Sequence, residues 1–193
     1  GLEQTLRRFQ PEYLSRDNGT AAAWLVRFVA SARFGSNVLV MSLVLLLWNQ
    51  IAPLFKLEPY RAEFVIFCTL VLLHFQARIL QITLAAHMLH RYSVGSMAVL
   101  AVVKLLGYLL LGALGAFSLV NVIIVETAAY AVAYLSMLFV YRERCASRAV
   151  AAGGRPDVNE RRRLVRYGVF NNFNDAGTLM LTADHITGGV AAV

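Results

Sequence analysis

Apolar residues in this chain do not recur at the 3.6-residue spacing of a helix with one wet face; they run in blocks. The first block, 36–55, reads SNVLVMSLVLLLWNQIAPLF and has the roughly 20 residues that a bilayer core requires. Trp48, near its far end, suits an interfacial aromatic ring. The polar turn KLEPYRAE leads to a second block at about 63–88, which HRYSVG closes. From Val94 to Tyr141 the chain is again apolar, over a length too great for one span. The small-residue stretch GALGAFS, 112–118, is the natural break, which predicts spans near 95–116 and 119–141. Residues 142–166 form a basic loop, and 167–193 hold a fifth transmembrane helix and the start of a next element. The pattern predicts an all-α polytopic membrane helix bundle of about five transmembrane helices.

Residues 1–35 differ in character. GLEQTLRRFQPEYLSRDNGT is polar and broken by Pro11 and an Asp17-Asn18-Gly19 turn. In the following stretch Trp24, Leu25, Phe28 and Ala32 share one helical stripe while Arg27 and Arg33 lie elsewhere, as in an interfacial helix leading into a span. The whole of 1–35 therefore reads as a cytoplasmic or interfacial segment. The chain opens at Gly1 and stops at GGVAAV, which predicts a segment of a longer polypeptide.

Composition agrees with the blocks: 59% of residues are hydrophobic and 15% charged, against about 45–50% and 25% in soluble domains. A soluble protein would need 20-residue helices apolar all round to reach these values. Charge then sets the orientation. Alternate loops, 1–35, 89–94 and 142–166, hold fourteen arginines, whereas the other side holds only Lys56 and Arg61. By the positive-inside rule 142–166 is cytoplasmic, so NERRRLVR sets topology and touches lipid phosphates; nucleic acid is not an expected partner. Cys68 and Cys145 have no metal-ligand or disulfide spacing, and no metal or cofactor is expected.

Candidate chemistry lies in ionisable groups at bilayer depth, which are costly there and face a bundle interior or cavity. Arg78 falls near mid-membrane, with His74 and Gln81 one turn away on the same face. Lys104 lies at similar depth on the next helix. Glu126 sits nearer the outer side, in line with Tyr130 and Tyr134. Two readings are open: a cationic cavity for an anionic group such as a lipid pyrophosphate, or a structural Lys104–Glu126 pair with Arg78 capping carbonyls. In the fifth span, Asn171, Asn174 and Asp175 fall on one side and Asn172 diverges. Such a row suits a water-filled or sugar-binding path, or the capping of free N–H groups at a helix start. Glu126, Asp175 and Asp184 are candidates for ion coupling. No Ser/His/Asp or paired-carboxylate constellation and no phosphate loop occurs, so no catalytic residue and no enzyme activity is expected.

The order of parts resembles a known family. TLRRFQPEYLSRDN resembles the cytoplasmic stretch after the second helix of bacterial polysaccharide flippases, the O-antigen and exopolysaccharide branch of the multidrug/oligosaccharidyl-lipid/polysaccharide exporter superfamily. RRRLVRYGVFNNFNDAG is similar to the entry into that family's seventh helix, and LTADHITGGVAAV to the stretch leading toward the eighth, matched loosely at Asp184, Ile186 and Gly188. The literal motifs cover about forty residues, and the architecture the whole chain. The resemblance implies a partial transporter fold, helices three to seven of about twelve to fourteen in two pseudosymmetric halves. It implies alternating-access translocation of a lipid-diphosphate-linked oligosaccharide across the bacterial inner membrane, with membrane lipids and the remainder of the same polypeptide as partners. A multispan glycosyltransferase or polymerase of the same pathway, or a multidrug exporter of the same superfamily, are the alternatives. The short outer loops argue against the polymerase.

Overall fold

The computed structural model describes residues 2–146 and 157–168. Within them every regular element is helical. α1 (Leu2–Ser15) and α2 (Gly19–Leu46) form an antiparallel hairpin, followed by α3 (Trp48–Phe55), α4 (Arg61–Ala86), α5 (His90–Ala113) and α6 (Leu119–Tyr141). A widened, π-type turn over Arg142–Ala146 extends α6, and residues 158–168 form one further helix, α7. Four helices are long and apolar enough to cross a membrane: α2, α4 with its preceding turn, α5, and α6 with its extension.

Local chemistry explains the ends. Asp17 takes φ 54°, and the Asn18 side chain then accepts from Ala21 N at 3.0 Å, so α2 starts directly after the tight turn. α4 stops where Met88 adopts φ 58° and Leu89 N bonds back to Leu84 O at 2.9 Å. Gly115, at φ 60°, does the same after α5, with Ala116 N bonded to Leu111 O at 3.0 Å. Ser118 caps α6 by accepting from Asn121 N at 3.2 Å.

These ends correct the expected organisation at the N-terminal side. The interfacial helix expected within 1–35 and the span expected at 36–55 are not separate elements. A single helix of 28 residues starts at Gly19, and Arg27 and Arg33 lie within it. The expected first span is also interrupted, because the backbone leaves the helical path at Leu47 and Trp48 turns inward. Trp48 is 6% exposed and packs on Phe64 with ring centroids 5.1 Å apart, so it is a packing residue and not part of an interfacial ring. The spans expected near 63–88, 95–116 and 119–141 fall on α4, α5 and α6. In the basic segment 142–166, residues 142–146 and 158–166 are helical. Of the fifth span expected over 167–193, residues 167 and 168 end α7 and the rest lies outside the described residues.

α4 is the hub, packed on α6, α2 and α1. One apolar core joins Leu6, Phe9 and Tyr13 of α1 to Leu25 and Val29 of α2, Ile79 and Ile82 of α4, and Leu164 of α7. A second joins Ala77, Leu80 and Leu84 of α4 to Leu100 of α5 and Ala129, Ala133 and Met137 of α6. The outer faces stay apolar and uncovered, with Leu39 at 69% and Leu46 at 82% exposure. A water-soluble monomer does not present apolar faces of this extent, whereas lipid covers them at no cost. The α1–α2 turn, the α4–α5 turn and the end of α6 meet around one cavity of about 600 Å³, lined by Asp17, His87, Met88 and Tyr141 among others. Arg16, Arg142 and Arg144 are therefore gathered at one end of the bundle.

Candidate functional site

The polar stripe expected on α4 is divided between two places. Arg78 donates from Nη1 to Gln81 Oε1 at 2.8 Å, and its Nε lies 3.9 Å from Glu3 of α1. Both Arg78 and Gln81 line a cavity of about 480 Å³ between α1, α4 and the first turn of α5, with Arg7, His90 and Ser93. Leu89 gives α5 no side-chain cap, so the positive end of that helix dipole adds to two guanidinium groups with one carboxylate nearby. Such a cavity favours anions. Arg7, Glu3 and His90 are contributions that α4 periodicity cannot reveal, because they arrive from other helices.

His74 does not line this cavity. Its ring stands edge-on to Tyr130 of α6, centroids 5.0 Å apart, and Lys104 Nζ lies 4.8 Å from the same Tyr130 ring. Lys104 pairs with Glu126 Oε2 at 2.5 Å, and the Tyr108 hydroxyl donates to the other carboxylate oxygen. Of the two readings for Lys104 and Glu126, the interhelical pair is the arrangement seen. On its other side His74 meets Phe75 at 5.6 Å, and Phe75 carries the Arg33 guanidinium 4.2 Å over its ring. A continuous belt, Arg33–Phe75–His74–Tyr130–Lys104–Glu126–Tyr108, thus crosses α2, α4, α6 and α5 about halfway along the bundle.

Arg33 is the member that sequence reasoning missed. On an interfacial helix it would be a surface charge; in the long α2 it lies about 20 Å from Gly19 at ~1.5 Å per residue. The Asn18-Gly19 cap was the signal that could have placed it. Its Nε is buried with no hydrogen-bond partner, and the same holds for Asn37 Nδ2 one turn later. An arginine at such depth costs about 2.5–3.5 kcal/mol on insertion scales, less what its partners recover.

At the arginine-rich end, cations stack on aromatic rings. Arg8 reaches the Tyr167 hydroxyl at 3.4 Å, Arg163 lies 5.8 Å from the Phe9 ring, and Arg161 lies 5.4 Å from the Trp24 ring. These contacts dock α7 against α1 and α2 while Arg162, Arg163 and Arg166 border an open hollow of about 500 Å³. Among the described residues no group of His, Cys, Asp and Glu is arranged to hold a metal. Asn171, Asn174, Asp175 and Asp184 lie outside the described residues.

Fold, outer apolar faces and a belt of intramembrane polar groups define an all-α, polytopic, membrane-embedded helix bundle. Comparison with protein families, curated proteins and solved structures finds no match.

Proposed function

We propose that this chain is part of a bacterial inner-membrane transporter that translocates a lipid-diphosphate-linked oligosaccharide by alternating access. The observation that carries the reading is the anion-favouring cavity of Arg7, Arg78, Gln81 and His90, set among helices with lipid-facing outer surfaces. A diphosphate offers several acceptor oxygens to guanidinium donors, and the bundle gives a lipid tail direct lateral access. The sequence resemblance to polysaccharide flippases points the same way. On this reading the arginine-rich end faces the cytoplasm, where a lipid-linked sugar is assembled, and the protein moves its substrate without chemical change. The turns at the other end, around Glu58–Tyr60 and between α5 and α6, are too short to carry the acid–base groups of a polymerase.

The test is polysaccharide export in cells that depend on the full-length protein. Arg78→Ala should reduce export by at least about tenfold at unchanged membrane abundance, since a charge-assisted hydrogen bond contributes roughly 1.5–3 kcal/mol. Arg78→Lys, which keeps the charge and loses the fork, should fall between. Normal export by Arg78→Ala would remove this cavity from the mechanism.

A further inference from the structure

A second group of cations, apart from the Arg78 cavity, lies on α7. Arg162, Arg163 and Arg166 are exposed and border one open hollow with Tyr167, and no carboxylate of the described residues pairs with them. The hollow is built into the fold. Leu164 is buried in the first core, and the Phe9 and Tyr167 rings meet edge-on with centroids 5.2 Å apart. Arg163 lies 5.8 Å from the Phe9 ring, and Arg8 lies 5.5 Å from the same ring and 5.0 Å from that of Tyr167. Aromatic faces thus hold two guanidinium groups in place before any ligand arrives. Like charges gathered in this way repel one another, and an anion in the hollow relieves that repulsion. The surroundings select the kind of anion. Val158, Arg162 and Val165 follow one strip of α7 at steps of four and three residues, and both valines are exposed, at 57% and 41%. Apolar residues among arginines suit the boundary between headgroups and acyl chains. The level agrees. On α2 the exposed large apolar residues begin at Phe34, and Arg161 lies over Trp24, about 15 Å before it at ~1.5 Å per residue. From there α7 runs toward Gly168, which faces Leu2 at the start of α1, so its arginines descend toward the bare apolar faces through the zone where bilayer phosphates lie. A soluble phosphate would leave the two valines in water, whereas a phospholipid covers them with its acyl chains.

We propose that the α7 hollow binds the phosphate of an anionic phospholipid, with Arg162, Arg163 and Arg166 as its donors. The site requires neither the transport reading nor a particular orientation of the bundle. A general attraction between basic residues and an acidic surface follows net charge alone, whereas a built site depends on which arginine is removed. The test is native mass spectrometry of the full-length protein, released from micelles and titrated with phosphatidylglycerol, with phosphatidylcholine and with soluble glycerophosphoglycerol. The expected result is a saturable phosphatidylglycerol adduct, at least about tenfold tighter than that of phosphatidylcholine, which an equal concentration of glycerophosphoglycerol does not displace. Arg162→Gln and Arg166→Gln should each weaken it about fivefold and the double variant about thirtyfold, the scale of basic residues at an anionic membrane surface. Neither side chain takes part in the aromatic contacts that dock α7, and an unchanged melting temperature separates lost binding from lost folding. Arg166→Lys should retain part of the affinity. Arg16→Gln, which removes the same charge at the same end of the bundle but outside the hollow, should leave the adduct unchanged, as should Arg78→Ala in the separate cavity. Equal weakening by Arg16→Gln, displacement by glycerophosphoglycerol, or full binding by the double variant would each overturn the proposal.

Discussion

At the scale of single residues, the Lys104–Glu126 pair shows how two effects compete. Burying an ion pair away from water is expensive, and removing one partner strands the other, which costs about 3–5 kcal/mol in soluble cores. Here both side chains retain some exposure, at 23% and 22%, and Glu126 accepts a second bond from Tyr108. In a bilayer the unfolded helices also find alternative partners, which lowers the net value of interhelical polar contacts to an average near 0.6 kcal/mol. The second effect should win. A double-mutant cycle of Lys104→Met and Glu126→Leu, read by reversible unfolding in bilayer-like micelles, should give a coupling of about 1–2 kcal/mol, near the upper limit because the pair is charged. Strict additivity within about 0.3 kcal/mol would show that the contact contributes nothing. Tyr108→Phe should remove a smaller part of the same coupling, because Glu126 keeps its cation.

At the scale of elements, the α5–α6 contact depends on the absence of a side chain. A Cβ on Gly107 would lie 2.5 Å from Val125 Cγ1, and the β-branched Val125 has one preferred rotamer in a helix and little room to yield. Gly107→Leu should therefore force the helices apart and lower stability by about 1–3 kcal/mol, despite its better helix propensity. Val125→Ala in the same chain should recover much of the loss, a rescue that a purely local effect at Gly107 would not show. The existence of α4, α5 and α6 was legible in the sequence, because uninterrupted apolar length is a strong signal and Gly115 marks the turn. The extent of α2 was less so: Arg27 and Arg33 suit an interfacial helix separate from the span, whereas the helix capped at Asn18 runs on unbroken and, paired with α1, can carry them. The break at Leu47 has no Pro or Gly to announce it, since it follows from Trp48 packing on Phe64 across the chain. The site divides along the same line. The Arg78–Gln81 bond follows from three-residue helical spacing, whereas Glu3, Arg7 and His90 meet it through tertiary packing that no local pattern records.

At the scale of the whole molecule, the distribution of charge and the path of the helices jointly fix an axis. α2, α4, α5 and α6 alternate in direction, so the α1–α2 turn, the α4–α5 turn and the end of α6 share one end, and the turn before α4 and the α5–α6 turn share the other. With Arg27 and Arg33 inside α2, ten other arginines among the described residues belong to elements of the first side, against Lys56 and Arg61 on the second. By the positive-inside rule that difference predicts a cytoplasmic first side, because basic residues near helix ends resist translocation. The arginines stacked on Phe9, Trp24 and Tyr167 also hold α7 to this end, so the cationic surface is built into the fold and not carried on a free loop. The consequence can be measured with single cysteines in a background where Cys68 and Cys145 are replaced by alanine. Glu58→Cys, on the exposed turn before α4, should react with a membrane-impermeant maleimide added to intact spheroplasts. Arg16→Cys, with the wild-type side chain 67% exposed at the opposite end, should react only after permeabilisation. The reverse pattern would invert the axis and place the Arg78 cavity on the outer side, away from where a cytoplasmic lipid-linked substrate would enter.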